Sequence, residues 1–247
     1  MREWISGRNP VYETLQAGRR HCFCLIVAQG TQEKGRLAEI LQVSQKKRIP
    51  IEQVPRARLD AISDGHQGVA LEASAYPYCA LQDILGLADG RSEPPFLLIL
   101  DALQDPQNLG TLLRTAEGVG VHGVLLPLRQ TVTVTPAVVS ASSGACEHLL
   151  IAQANLALAI QALKEAGVWV VGLEGGGQAE RVDRVRLDGP LALVVGSEGQ
   201  GMRPLTRDSC DVLVQLPMRG RVESLNAAVA GSIALYLAWR ARGFDEE

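Results

Sequence analysis

Residues 96–120 read FLLILDALQDPQNLGTLLRTAEGVG. The opening apolar run, Phe96 to Leu100, predicts a strand covered on both faces, as in a parallel sheet with helices on each side. Asn108 is placed to cap a helix over Leu109 to Gly118, and Arg114 stands between one and two turns beyond that cap. The same unit of strand, turn and helix recurs to the C-terminus. Further strands are predicted at Gly123 to Leu126, Val168 to Leu173, Leu191 to Val195 and Val212 to Leu216, with helices at Pro136 to Ser142, Asn155 to Ala166, Met202 to Cys210 and Ser224 to Arg242. Residues 96–247 therefore read as an open α/β domain with a mostly parallel sheet.

Upstream, β and α segments alternate on a smaller scale. Helices are predicted at Asn9 to Gln16, Gly35 to Lys47 and Arg58 to Ile62, and strands at Cys22 to Ala28, Ile49 to Val54 and Val69 to Ala73. This is enough for a small α/β domain over residues 1–75. The polar run DGRSEPP at 89–95 ends in a double proline, which breaks helices and stiffens a connection, so residues 76–95 are expected to be a linker that carries a short helix at Leu81 to Leu87.

Composition narrows the function. With 47% hydrophobic and 21% charged residues the chain is globular, which excludes wholesale disorder. Residues 1–75 carry 11 Lys+Arg against 8 Asp+Glu, whereas the remainder carries 13 against 19. A polyanion would dock on the front domain. Aromatic residues are only 4%, too few for a platform that stacks single-stranded bases. The cysteines Cys22, Cys24, Cys79, Cys146 and Cys210 are scattered and form no C-x-x-C pair, so reduced thiols and no metal site are expected. No apolar run approaches the length of about 18 residues that suggests a membrane span, and Met1 to Gly30 lacks the order of a signal peptide. A soluble, cytoplasmic protein is the expectation.

Ligands of open α/β sheets bind at the carboxyl ends of strands. After Leu191 to Val195 comes GSEGQGM, in which Gly196, Gly199 and Gly201 let the backbone approach a ligand closely. The order matches neither the dinucleotide fingerprint nor the P-loop, so NAD and ATP readings lose support. After Val212 to Leu216 comes PMRGRVESLNAAVAGS, residues 217–232. Here Ser224 is a good N-cap, and Asn226, Ala227, Ala228, Ala230, Gly231 and Ala234 give the helix little bulk at its start. Such a helix admits another backbone at close range, from the same chain or from a partner. Arg219 and Arg221 are loop cations that could meet phosphates.

The blocks DPQNLGTLLRTAEGVG (105–120), LVVGSEGQGM (193–202) and LPMRGRVESLNAAVA (216–230) closely resemble the signature blocks of the SpoU/TrmH family of RNA ribose 2′-O-methyltransferases, in the SPOUT class. The front section resembles that family's RNA-binding domain, through Gly7-Arg-Asn-Pro-Val and His66-Gln-Gly-Val-Ala. The likeness is greatest to the RlmB-like branch, which methylates a guanosine of 23S ribosomal RNA, and Ser142-Ser-Gly-Ala-Cys-Glu-His148 fits that branch too.

The resemblance implies a C-terminal trefoil knot, which periodicity alone does not suggest because knots are nearly absent from folds. It implies that the knot loops hold S-adenosylmethionine, lined by Gly172, Leu173, Gly196, Leu216, Met218 and Leu225. Catalytic roles are implied for Arg114, Asn108, Glu198, Ser224 and Asn226. The motif arginine of similar enzymes is often proposed as the base, yet a guanidinium gives up its proton with difficulty. Arg114 could instead stay charged, orient the ribose or a phosphate, and stabilise a developing alkoxide. Asn108 and Glu198 would position Arg114 or the substrate, while Ser224 and Asn226 would shape the knot. His66 and His148 lie outside the family's catalytic motifs and read as hydrogen-bonded structural residues. The implied partners are RNA, above all 23S ribosomal RNA, and a second copy of the chain with the active site near the interface, with no DNA and no membrane.

Two rivals remain beside this reading. One is a tRNA guanosine 2′-O-methyltransferase of the same family, against which two domains and this length favour ribosomal RNA. The other is a noncatalytic RNA-binding protein of ribosome assembly, and the presence of Arg114, Glu198, Ser224 and Asn226 argues against it.

Overall fold

Cys22–Ala28 buries its last four residues, Leu25 to Ala28, because it is an inner strand of a small sheet. The computed structural model describes residues 2–175, 179–197, 199–222 and 224–244. The chain divides into two units, Met1–Pro77 with Val134–His148, and Tyr78–Thr133 with Leu149–Glu247. In the first unit the elements are β1 (Arg2–Ser6), α1 (Arg8–Ala17), β2 (Cys22–Ala28), α2 (Arg36–Lys46), β3 (Ile51–Val54), α3 (Arg56–Asp60) and β4 (Val69–Ser74). Among the described residues its strands lie in the order β1-β4-β2-β3, antiparallel except for the β2–β3 pair. Alternate side chains face opposite sides of such a sheet. On one side Ile26, Ala28, Val54 and Ala70 close over Leu59 of α3.

The second unit holds α4 (Leu81–Arg91), β5 (Phe96–Leu100), α5 (Pro106–Gly118) and β6 (Gly123–Pro127). The chain then contributes α6 (Pro136–Ala141) to the first unit before β7 (Leu150–Ala154) and α7 (Leu156–Glu165). It finishes with β8 (Trp169–Leu173), β9 (Glu180–Arg181), β10 (Leu191–Val195), α8 (Pro204–Ser209), β11 (Val212–Gln215) and α9 (Ala227–Ala241). Among the described residues its strands form one sheet, parallel throughout, in the order β7-β6-β5-β10-β8-β11-β9. All residues of β5, β6 and β10 are buried. Each fully buried Leu, Ile or Val among them contributes about 1.5 to 3 kcal/mol, so the middle of this sheet is a large part of the unit's core.

Two boundaries differ from the sequence reading. Within the expected linker, 76–95, the helix begins at Leu81 as expected but runs on to Arg91, because α4 has a buried face that holds it in the larger unit. Its Ile84 is fully buried and fills the space over Gly123, where a Cβ would stand 2.6 Å from that side chain. Residues 134–148, assigned by sequence to the larger domain, belong to the first unit. There α6 packs on β1, and the 3₁₀ turn Ala145–His148 packs on α1. Gly144 allows the approach, since its φ is +90° and a Cβ on it would stand 2.6 Å from Glu13 Cβ.

A buried ion pair fastens this segment. The Arg20 side chain is wholly buried, and its Nη1 donates to Glu3 Oε2 (2.9 Å) and to the Ser74 carbonyl (2.9 Å). Its Nε donates to Glu147 Oε2 at 3.0 Å, and Nη2 lies 2.8 Å from Glu147 Oε1 in an ion-pair contact without hydrogen-bond alignment. Removing Glu147 leaves the buried Arg20 guanidinium with Glu3 as its one remaining carboxylate among these partners, its Nε and Nη2 unmatched in a buried site. Glu147→Ala is therefore expected to destabilise the protein by about 3 to 5 kcal/mol, read as a lowered urea midpoint.

His122 closes the opposite end of the large sheet from the strand carboxyl ends. It is 1% exposed, its Nδ1 accepts the Phe96 N–H (3.0 Å), and its Nε2 lies 2.9 Å from Glu93 Oε2. Burial holds the imidazole below the usual histidine range, against the opposing pull of Glu93. The unfolded chain thus takes up this proton more readily than the folded one, so acid favours unfolding. Stability should fall as pH drops below the ordinary histidine value of roughly 6.5, and His122→Gln should flatten that part of the profile in thermal melts across pH 5 to 8. Among the described residues, no helix is long and apolar enough to cross a membrane.

Candidate functional site

The carboxyl ends of β5, β10, β8 and β11 lie side by side, and the loops that follow them build the site. Directly after β10 the chain makes a tight glycine turn in which Ser197 and Gly201 exchange backbone hydrogen bonds, both at 3.0 Å. Gly199 and Gly201 hold φ of +77° and +68°, a region that disfavours other residues. Gly196 is constrained differently. A Cβ there would lie 2.3 Å from both Gly201 C and Met202 N, so the returning strand of the turn occupies the place of a side chain.

A buried carboxylate holds this turn to β5. Asp101 follows that strand, is fully buried, and passes its own N–H to the Val195 carbonyl at 2.8 Å. Its Oδ2 accepts the backbone N–H of Arg203 (2.8 Å), and its Oδ1 accepts Arg203 Nε (2.7 Å) and lies 2.6 Å from Nη2. Neither Asp101 nor Arg203 stands out in the sequence. The only available signal is a carboxylate at the end of a fully apolar strand, and its partner is far away along the chain.

On one side of the turn lies a cavity of about 320 Å³. Leu173, Gly196, Leu216, Met218 and Leu225 line it, together with Ser224 and Glu174. Glu174 is held at the wall by Arg207, whose Nε lies 2.9 Å from both carboxylate oxygens. Gly172 sits behind the wall rather than in it. A Cβ there would meet Leu213, Met202 and Cys210 at 2.8 to 3.0 Å, so its role is close packing beneath the site. Burial pushes the Cys210 thiol up to about 12, which makes it inert as a nucleophile.

Both helix starts differ from the sequence reading. The cap of α5 is Asp105, whose Oδ1 accepts the Gln107 N–H at 3.0 Å, because Pro106 takes the first helical position. Asn108 lies in the first turn instead. The cap of α9 is Asn226, whose Oδ1 accepts the N–H of Ala228 (2.9 Å) and of Val229 (3.1 Å), so Ser224 lies before the helix. Asn226 Nδ2 in turn donates to Asn108 Oδ1 at 3.1 Å. This amide bridge joins the starts of α5 and α9. The lack of bulk in α9 serves the same contact, since a Cβ on Gly231 would stand 2.6 Å from Leu112 of α5, and Thr115 Oγ1 meets Ser232 Oγ at 2.9 Å.

A second cavity, of about 330 Å³, lies on the α5 side and shares Ser197 and Gln200 with the first. Asn108 lines it. Arg114 is exposed on α5 and lines neither cavity, and Arg219 and Arg221 are exposed in the loop after β11. Glu198 lies outside the described residues. His66 and His148 belong to the first unit and are structural in their contacts. His66 Nδ1 accepts the Gly68 N–H (2.8 Å) and its Nε2 meets Asp60 (2.9 Å), while His148 Nε2 meets Glu13 (2.9 Å).

An all-parallel sheet with a glycine-walled cavity at its carboxyl ends, in a chain that also holds a separate small α/β unit, defines a ligand-binding α/β protein of two parts. Residues 95–236 match the SpoU rRNA Methylase family, and residues 4–79 match the family described as RNA 2′-O ribose methyltransferase substrate binding. A protein of Bacillus subtilis (strain 168), YacO, which bears the name of a TrmH family tRNA/rRNA methyltransferase, is 43% identical over 97% of this chain and 96% of its own length. The chain belongs to the SpoU/TrmH family of RNA methyltransferases. Among solved structures, the SpoU methyltransferase AviRb of Streptomyces viridochromogenes, in complex with AdoMet, matches in fold with a TM-score of 0.81 at 22% identity, over 99% of this chain and 92% of that one. An AdoMet-bound rRNA methyltransferase of Sinorhizobium meliloti matches with a TM-score of 0.78 at 25% identity, over 97% and 87%.

The geometry at Gly196 yields a direct expectation. Gly196→Ala forces the turn apart and should lower stability by about 1 to 3 kcal/mol, the usual cost of an overpacked site, as measured by chemical denaturation. Gly175→Ala, where the added Cβ meets nothing within 4 Å, should be nearly neutral in the same measurement.

Proposed function

We propose that this protein transfers a methyl group from S-adenosylmethionine to the ribose 2′-oxygen of a guanosine in large-subunit (23S) ribosomal RNA. The observation that carries the reading is the cavity beside the Gly196 turn, set against the Asn108–Asn226 bridge in a chain of this family. The cavity suits the cofactor. Leu173, Leu216, Met218 and Leu225 offer apolar surface to an adenine ring and a thioether-like chain, the turn offers backbone groups at close range, and the Glu174 carboxylate complements a cationic ligand. The description of the matched family and that of the S. meliloti structure both favour ribosomal RNA over tRNA.

When bound, S-adenosylmethionine supplies an electrophilic methyl group on a sulfonium. The residues of this chain then have two tasks, to align the ribose hydroxyl with that methyl and to favour its negative charge as the proton leaves. Asn108 and Asn226 hold the two helix starts in register at the seam between the cavities. Ser224 lines the cofactor side. Arg114 acts as a retained positive charge toward the RNA, and Glu198 as a group that positions Arg114 or the substrate. The smaller, more basic unit takes up the RNA chain.

The same reading includes the trefoil knot and a homodimer acting in the cytoplasm. The insertion of β10 between β5 and β8, with α9 packed back on α5 and β10, supports the knot. Val229, Ile233 and Tyr236 support the dimer, because they are 40 to 50% exposed along one stripe of α9 while Ala228, Gly231, Ala234, Leu235 and Ala238 are buried on the other.

The test is methyl transfer from labelled S-adenosylmethionine to unmodified large-subunit ribosomal RNA and to tRNA, with nuclease mapping and with light scattering for the mass in solution. Label on one ribosomal guanosine 2′-oxygen, reduced at least tenfold in Arg114→Ala, from a protein of twice the chain mass, is the expected result. Label on tRNA alone would transfer the reading to tRNA, and cofactor binding without label on either RNA would sink the catalytic reading.

A further inference from the structure

The second cavity is not assigned by any feature of the cofactor site, yet it shares a wall with it. Ala102, Leu103, Gln104, Asp105, Asn108, Ser197 and Gln200 line its roughly 330 Å³, at the lower end of the size range of small-molecule pockets. Ser197 and Gln200 belong to both cavities, so a group in one lies next to a group in the other.

The lining has a distinct chemistry. Among the described residues it holds three carboxamides, Gln104, Asn108 and Gln200, one hydroxyl, one carboxylate, and neither a cation nor an aromatic ring. Such a wall offers paired donors and acceptors to a neutral polar ligand. Its described residues bring no positive charge for a phosphate and no ring for stacking.

The floor is fixed from several directions. The Leu103 carbonyl accepts the Val132 N–H (2.8 Å) and Thr131 Oγ1 (2.9 Å). Asp101 is clamped by Arg203, and Asn108 is tied to Asn226. Ala102 is held at φ +60°, a strained value for a residue with a Cβ, so the chain takes this path against its local preference. By contrast, Gln104 and Gln200 are exposed and have no hydrogen-bond partner among the described residues. Two uncommitted carboxamides on a fixed floor can be ordered by a ligand.

We infer that this cavity receives the acceptor nucleoside, splayed out of its RNA chain, and that the Gln104 and Gln200 carboxamides read the edge of its base. The inference rests on the proposed methyl transfer and adds the residues that choose the nucleotide. A carboxamide matches a base edge by presenting one donor and one acceptor together, and a bidentate match is worth about 1 to 3 kcal/mol of discrimination.

The experiment uses the full-length protein and short transcripts of the methylated segment with each of the four nucleotides at the mapped position. Gln104→Ala and Gln200→Ala are compared with the parent, and S-adenosylmethionine binding is measured separately by calorimetry. Gln104 lines only the second cavity, so Gln104→Ala should bind cofactor within about twofold of the parent. It should lose about tenfold or more in kcat/KM on the preferred transcript, mostly through KM, and the preference among the four nucleotides should narrow by a similar factor. Unchanged preference and KM in both variants, with the parent active, would overturn the base-reading pocket and leave the methyl transfer standing. A tenfold loss of cofactor affinity in Gln104→Ala would also overturn it, because the cavity would then belong to the cofactor. A parent protein that binds cofactor and labels neither RNA would remove the proposed function, and the acceptor pocket with it.

Discussion

The site depends on the place where the backbone of Gly201 and Met202 passes over Gly196 at a distance that leaves no room for a Cβ. Because the turn folds back on itself so tightly, it brings its backbone, together with Ser197 and Gln200, to the wall of both cavities. The Asp101 carboxylate fixes the turn from below by accepting two hydrogen bonds from Arg203 and pairing with its guanidinium, and it does so from a fully buried position where an unpaired charge would be costly. Close backbone approach at one point and a satisfied buried charge at another thus set the shape of the wall between the two cavities.

Much of this was legible in the sequence for a simple reason: continuous apolar runs announce buried parallel strands. Phe96 to Leu100 and Leu191 to Val195 have the same limits in sequence and structure. The strands that periodicity passes over are different in kind. β1, with Arg2 and Glu3 in five residues, is a charged edge strand, and β9 has only two residues, Glu180 and Arg181. β7 reads LIAQA and lies at the edge of the larger sheet, where it needs less apolar surface. The helix caps were misassigned because Asn108, Asp105, Ser224 and Asn226 are all good caps by type. Only the fixed backbone of Pro106, and the double acceptance at Asn226, separate the true caps from their neighbours.

Long-range pairings were illegible by nature. Nothing local links Asp101 to Arg203, Asn108 to Asn226, or Arg20 to Glu147. The Ser142 to His148 segment illustrates the point. Its likeness to a family block was visible, whereas its membership of the first unit follows from Gly144 lying against α1 and Glu147 meeting Arg20, two contacts made across most of the intervening chain.

The order of strands also bears on how the protein is made. β10 sits between β5 and β8, both of which are synthesised before it. Until Leu191–Val195 leaves the ribosome, β5 presents an unpaired edge of apolar sequence and β8, whose other neighbour β11 also follows β10, is unpaired on both sides, while α9, which packs on β10, comes later still. A nascent chain in that condition exposes the surfaces most prone to wrong association, and pairing of such distant segments is slow. The larger unit is therefore committed to finishing its sheet last and from the inside. Its assembly will depend on what shields those edges in the interval.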